Sequence, residues 1–226
     1  MGQRLSSRYT LYSVDVFLHG QSAWLSRGTV LSKEEWCGAV ERLLEHEQIS
    51  SFSVVGYSMG GRFALTLVEC FSSRIHQVVL IAPDGIRFSF WHQFASATHL
   101  GNYLLRTLVL RPRLLFAAIR IAYVLRLVDR GFLRFARRQT DRRTKRYALY
   151  CRWTALRCIK PDLKKILARC NQVPIVVSIY VGIYDRIIKA SSAFPLHNKL
   201  KESSLTHLPS NHIELIEATA KHLSNQ

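Results

Sequence analysis

Residues 52–61 read Phe-Ser-Val-Val-Gly-Tyr-Ser-Met-Gly-Gly, a short apolar run that breaks into Gly56-Tyr57-Ser58-Met59-Gly60. A serine in Gly-x-Ser-x-Gly sits on a sharp strand-to-helix turn, and glycines two before and two after it remove Cβ atoms from that turn. The flanks agree with this reading. Residues 52–55 are aromatic and β-branched, as a buried parallel strand requires. Residues 62–70 favour a helix with Phe63, Leu67 and Cys70 along one face. A bare Gly-x-Ser-x-Gly also fits a plain turn; framed by strand and helix, it makes Ser58 a candidate nucleophile.

A nucleophilic serine needs a base, and the base needs an orienting acid. Residues 173–180 form a second apolar run, which leads into Val181-Gly182-Ile183-Tyr184-Asp185. That places Asp185 just past a strand's C-terminal end. Residues 204–208 read as a short strand, followed by the loop Pro209-Ser210-Asn211-His212 and a helix from Ile213. His207 falls inside the strand pattern and reads as a packed or edge histidine. His212 lies in the loop, where it can swing over the sheet edge. Asp84, in Ile81-Ala82-Pro83-Asp84-Gly85, also follows a strand, at 78–82, and is the alternative acid; Pro-Asp-Gly is equally a turn.

In the order Ser58, Asp185, His212 the chain resembles the α/β-hydrolase fold family. The resemblance covers most of the chain outside its middle segment. It implies an α/β fold with a mainly parallel sheet and an inserted helical lid. It also implies a serine hydrolase that cleaves a carboxylic ester or thioester through an acyl-enzyme. The Met59 backbone N–H would support the oxyanion, with a small-molecule acyl substrate and no metal or organic cofactor. At the N-terminal end the match thins. Residues 11–18 are the only strand candidate, ending in Asp15-Val16-Phe17-Leu18-His19-Gly20-Gln21-Ser22. The spacing of Asp15, His19, Gly20 and Ser22 matches a family pattern with Leu18 replacing a glycine, which implies an N-terminally shortened member without the family's first strands. The other alignment makes residues 18–21 the oxyanion loop, with the Gln21 backbone N–H as second donor. A Ser-x-x-Glu capping box at Ser32 opens a helix whose apolar face holds Trp36, Val40, Leu43 and Leu44. A sheet of about five strands is expected, with residues 11–18 either pairing beside 52–55 or leaving a gap there.

The chain has 226 residues and a formal charge of +17, spread unevenly. Residues 101–170 hold nineteen Lys and Arg against Asp129, Asp141 and Asp162, or +16; the rest hold thirteen bases and twelve acids, or +1. The charge therefore demands a local explanation. The domain reading is an α/β-hydrolase core at 1–85 and 173–226, with a basic helical lid at 86–172. Within the lid, Arg126, Arg130, Arg134 and Arg137 form a stripe at helical spacing. It reads first as a solvated lid face. Peripheral membrane or anionic-ligand contact ranks second. Nucleic acid is a distant third, because no recognition motif accompanies the charge. Trp91, Phe94, Phe116 and Tyr123 are candidate pocket aromatics. The five cysteines lack a Cys-x-x-Cys pair and read as reduced thiols in a cytoplasmic protein, with no zinc site. Two other function classes stay open: a hydrolase-fold binding protein or fragment impaired by a missing oxyanion loop, and a lyase or C–C bond hydrolase.

Overall fold

The computed structural model describes residues 6, 8–22, 30–88, 90–128 and 130–224. They divide into two compact units. The first takes its described residues from 1–12, 32–87 and 159–226; the second takes them from 13–31 and 88–158.

The first unit is built on a four-stranded sheet. Its strands are β1 (Phe52–Tyr57), β2 (Ile75–Ile81), β3 (Val176–Gly182) and β4 (Ser203–Leu208), in spatial order β1-β2-β3-β4. Every pairing is parallel. Parallel strands with both faces covered read as continuous apolar runs, and β2 and β3 do so, with Val78, Leu80, Ile81 and Ile179 fully buried. Helix α1 (Lys33–His46) starts at the predicted capping box: Ser32 Oγ accepts from Glu35 N at 3.1 Å and Glu35 Oε2 accepts from Ser32 N at 2.8 Å. Trp36 packs edge-on against Phe63 and donates Nε1–H to the Phe63 carbonyl at 3.2 Å. That anchors α1 on α2 (Gly60–Phe71). Helix α2 is buried on all sides, every residue from Gly61 to Val68, so the single apolar face expected of it understates its burial.

The strand expected at 11–18 does not form. Residues 11–16 adopt no regular structure, and among the described residues β1 is bonded to β2 alone, at the edge of the sheet. Leu11, Tyr12 and Val14 are about half exposed. A strand is made by a partner, and without one the alternating pattern of 11–18 has nothing to bury.

The cysteines also need correcting. Cys37 of α1 and Cys70 of α2 form a disulfide across 33 residues, with Cα atoms 6.5 Å apart. Cys151, Cys158 and Cys170 are free. Disulfides are uncommon in reducing compartments, so this pair does not carry the cytoplasmic setting that reduced thiols would have implied.

The second unit is helical: α3 (Phe90–Ala97), α4 (His99–Leu110), α5 (Pro112–Val124), α6 (Arg130–Thr140) and α7 (Arg143–Ala155). Its core is small. Arg146 is its best-held charge, buried and donating to the carbonyls of Val109, at 3.2 Å, and Thr140, at 3.0 Å. Arg126, Arg130, Arg134 and Arg137 are all exposed, as a solvated stripe should be.

The expected boundary at 86 falls within two residues of the observed one. The boundary at 172 moves back to 158, because α8 (Leu163–Gln172) belongs to the first unit. There Glu69 of α2 accepts from Asp162 N at 2.7 Å, Asp162 caps α8, and Ile166 is buried. Residues 13–22 belong with the helical unit, where Arg152 Nε donates to the Leu18 carbonyl at 3.0 Å. Among the described residues, no helix is long and apolar enough to cross a membrane.

Candidate active site

Strand β1 ends at Tyr57, and the chain turns abruptly at Ser58, whose φ is +51°. L-residues pay for this left-handed conformation, and it persists only where the surroundings impose it. Here they do. Ser58 N donates to the Ile81 carbonyl at 2.9 Å, while the Ser58 carbonyl accepts from Gly61 N and Asp84 N, both at 2.9 Å. The turn is thus bolted to the end of β2. A Cβ on Gly56 would lie 2.7 Å from the Gly60 carbonyl oxygen and 2.8 Å from Ala64 Cβ. A Cβ on Gly60 would meet nothing within 4 Å. The crowded glycine downstream is instead Gly61, 2.9 Å from Pro83 Cβ.

The three expected residues converge within the first unit. His212 Nε2 lies 3.1 Å from Ser58 Oγ, and His212 Nδ1 lies 2.6 Å from Asp185 Oδ2. The Asp185 side chain is fully buried and that of His212 is 8% exposed. An isolated carboxylate so buried would be costly, but this one is satisfied. Its Oδ1 accepts from Ile187 N at 2.8 Å and Ile188 N at 2.9 Å, leaving Oδ2 for the imidazole. An ionised Asp185 places the proton on Nδ1, so Nε2 presents its lone pair to the serine hydroxyl. Gly182 lets the two loops close, since a Cβ there would be 2.5 Å from the Ser210 carbonyl oxygen.

Tyr57 is the residue that the sequence did not flag. Its hydroxyl donates to the His212 carbonyl at 2.9 Å, and its ring lies 5.1 Å from the imidazole, tilted by 35°. Burial, with the nearby Asp185 charge adding to it, pushes its pKa up to about 12. Tyr57 therefore stays a neutral donor across the working range of pH. Its one signal in the sequence was the variable position before the serine.

The alternatives fall elsewhere. Asp84 is held by Arg62, whose Nε donates to Asp84 Oδ2 at 2.8 Å, and it serves the turn rather than the histidine. His207 is exposed on β4. The Gln21 N–H, the alternative oxyanion donor, is taken by Asp15 Oδ2 at 3.1 Å. Residues 16–22 are a compact turn in which His19 N donates to the Val16 carbonyl and Ser22 N to that of His19, both at 2.9 Å. Leu18, standing where the pattern has glycine, has φ of +67°. Phe94, Phe116 and Tyr123 belong to the helical unit; the side chain of Trp91 lies outside the described residues. A cavity of about 660 Å³ in the first unit is lined by Lys33, Glu69, Lys165 and Arg169 among others and by no member of the Ser58 constellation. Among the described residues, no His, Cys, Asp and Glu side chains cluster as metal ligands.

A family model described as the alpha/beta hydrolase fold matches residues 1–107. Among curated proteins, the dihydrolipoyllysine-residue acetyltransferase component of the acetoin cleaving system of Cupriavidus necator is 33% identical over 97 residues. That stretch is 41% of this chain and 25% of that protein. Among solved structures, a meta-cleavage product hydrolase from Pseudomonas fluorescens IP01 superposes with a TM-score of 0.62 at 18% identity, covering 99% of this chain and 81% of that one. The enol-lactonase from Burkholderia xenovorans LB400 gives 0.53 at 18% identity, covering 92% and 75%. The chain has the alpha/beta hydrolase fold, and its resemblance to that family holds.

Proposed function

We propose that this protein is a serine hydrolase that cleaves a carboxylic ester or thioester of a small acyl substrate. The observation that carries the reading is the continuous chain Ser58 Oγ, His212, Asp185, with links of 3.1 and 2.6 Å. Ser58 Oγ attacks the acyl carbonyl as its proton passes to His212 Nε2. Asp185 holds the imidazole tautomer and stabilises the imidazolium. The Met59 N–H, the amide after the nucleophile, donates to the oxyanion. The tetrahedral adduct collapses to an acyl-enzyme, and His212 returns the proton to the departing alkoxide or thiolate. Water, deprotonated by His212, then releases the acid and restores Ser58.

Labelling with a fluorophosphonate tests this reading. Rapid modification of the parent chain, with none in Ser58→Ala, is expected, and Ser58→Ala should abolish turnover of an ester panel. An unlabelled parent chain would refute it. A second reading is a hydrolase-fold binding protein, or a very slow enzyme. It is favoured by the capture of the Gln21 N–H by Asp15, because losing one oxyanion donor typically costs about 100–1,000-fold in turnover. Slow labelling with intact folding would select it. Turnover of vinylogous diketones but not esters would move the reaction to C–C bond hydrolysis.

A further inference from the structure

Amphipathic helices in water bury their apolar stripe and turn charge outward. Helix α5 does not. It has no buried residue, and Arg113, Leu114, Ala117, Arg120, Ile121 and Val124 are all exposed at spacings that keep them on one face. Leu114 is 46% exposed, Ile121 58% and Val124 69%. The turn after α5 exposes Leu125 and Leu127, with Arg126 between them. Neighbouring α4 repeats the pattern: Leu100, Tyr103, Leu104 and Leu110 are exposed, with Arg106 beside them. Residues 88–158 carry fifteen Lys and Arg against Asp129 and Asp141, or +13.

We propose that the outward face of α4 and α5 is a docking surface for an anionic lipid bilayer. Leu114, Ile121 and Val124 enter the headgroup boundary while Arg113 and Arg120 extend to the lipid phosphates. The chemistry selects this occupant. A helix lying in the membrane interface presents an apolar stripe flanked by Arg or Lys. Arginine keeps its charge at the surface while its stem covers apolar area. A second copy of the chain would bring the same positive surface against itself. Nucleic acid would use the charge but leave the leucine, isoleucine and valine stripe without a role. No described helix can span the bilayer, so attachment lies in the plane of the interface. The proposal is independent of the chemistry at Ser58.

Co-sedimentation of the full chain with vesicles tests it, using phosphatidylcholine alone and phosphatidylcholine with about one-third phosphatidylglycerol. Binding to the anionic vesicles should be about tenfold tighter or more, and should weaken as salt is raised. The double variants Ile121→Ser/Val124→Ser and Arg113→Gln/Arg120→Gln should each weaken it by about tenfold, with unfolding temperatures unchanged. Ile121→Trp should add a blue-shifted emission component when anionic vesicles are present. Four results would each overturn the proposal: no binding to anionic vesicles, binding that Ile121→Ser/Val124→Ser leaves intact, no blue shift from Ile121→Trp, or lipid-free self-association that this double variant abolishes. Tighter binding to duplex DNA or to an acidic polypeptide than to the anionic vesicles would also overturn it.

Discussion

Helices α2 and α5 are nearly equal in length and both rich in apolar residues, yet they meet their surroundings in opposite ways. Helix α2 buries every residue from Gly61 to Val68; α5 buries none. Helix α2 follows Ser58 and is packed against α1 and β1 and joined to α1 by a disulfide. A neighbourhood so closely packed has one packing solution, and it fixes the turn at Ser58. Helix α5 holds its apolar side chains at the surface, where they contribute little to folding and are free to meet something else. The same residue types therefore act as scaffold in one unit and as surface in the other, and the difference lies in what packs beside them.

The largest expected effect separates the two candidate acids, Asp185 and Asp84. Asp185→Asn should lower kcat by about 10,000-fold with little change in KM, because the amide stabilises the wrong tautomer of His212. Asp84→Asn should retain most of the activity and instead lower the unfolding temperature, because Arg62 loses its charged partner; steady-state kinetics and thermal melts distinguish them. Equal kinetic losses would break the assignment.

The contrast between the helices is tested by matched truncations. Leu65→Ala, in α2, should cost about 2–5 kcal/mol through cavity formation. Leu114→Ala, in α5, should cost less than about 0.5 kcal/mol. Denaturant titration measures both, and a large loss for Leu114→Ala would show that α5 is packed after all. Breaking the staple should come next. Cys37→Ser with Cys70→Ser should destabilise the chain by about 2–4 kcal/mol, an effect that reductant reproduces in the parent protein and not in the variant. An unchanged melting curve under reductant would remove the disulfide from the account. A smaller effect than that of the disulfide is expected at Tyr57. Tyr57→Phe removes one hydrogen bond to the His212 loop, at a cost of about 1 kcal/mol, and should slow turnover by about fivefold while KM holds. No change in kcat would leave Tyr57 a packing residue.

Where strand, turn and helix follow one another closely, local chemistry was enough to read the molecule. The four strands flanking the site, the capping box at Ser32 and the choice of His212 over His207 were all legible, because hydrophobic period, cap residues and turn residues act over a few neighbours. Leu11 to Leu18 has the pattern of a strand and forms none, since pairing depends on a partner that composition does not supply. The role of α8 was missed for a similar reason. Its place beside α2 rests on Glu69 receiving the Asp162 N–H, a contact spanning 93 positions.

The sequence by itself determined the order of a candidate serine, acid and histidine, with Asp84 left as a second acid, and the concentration of positive charge in one segment. Both are carried by residue type and spacing. Tertiary structure alone decided that Asp185 and not Asp84 faces His212, that Tyr57 supports the histidine loop, that Cys37 meets Cys70, and that the apolar stripe of α5 stays in the open. Each of these depends on which surfaces meet when distant segments pack, and a linear pattern of side chains does not specify that.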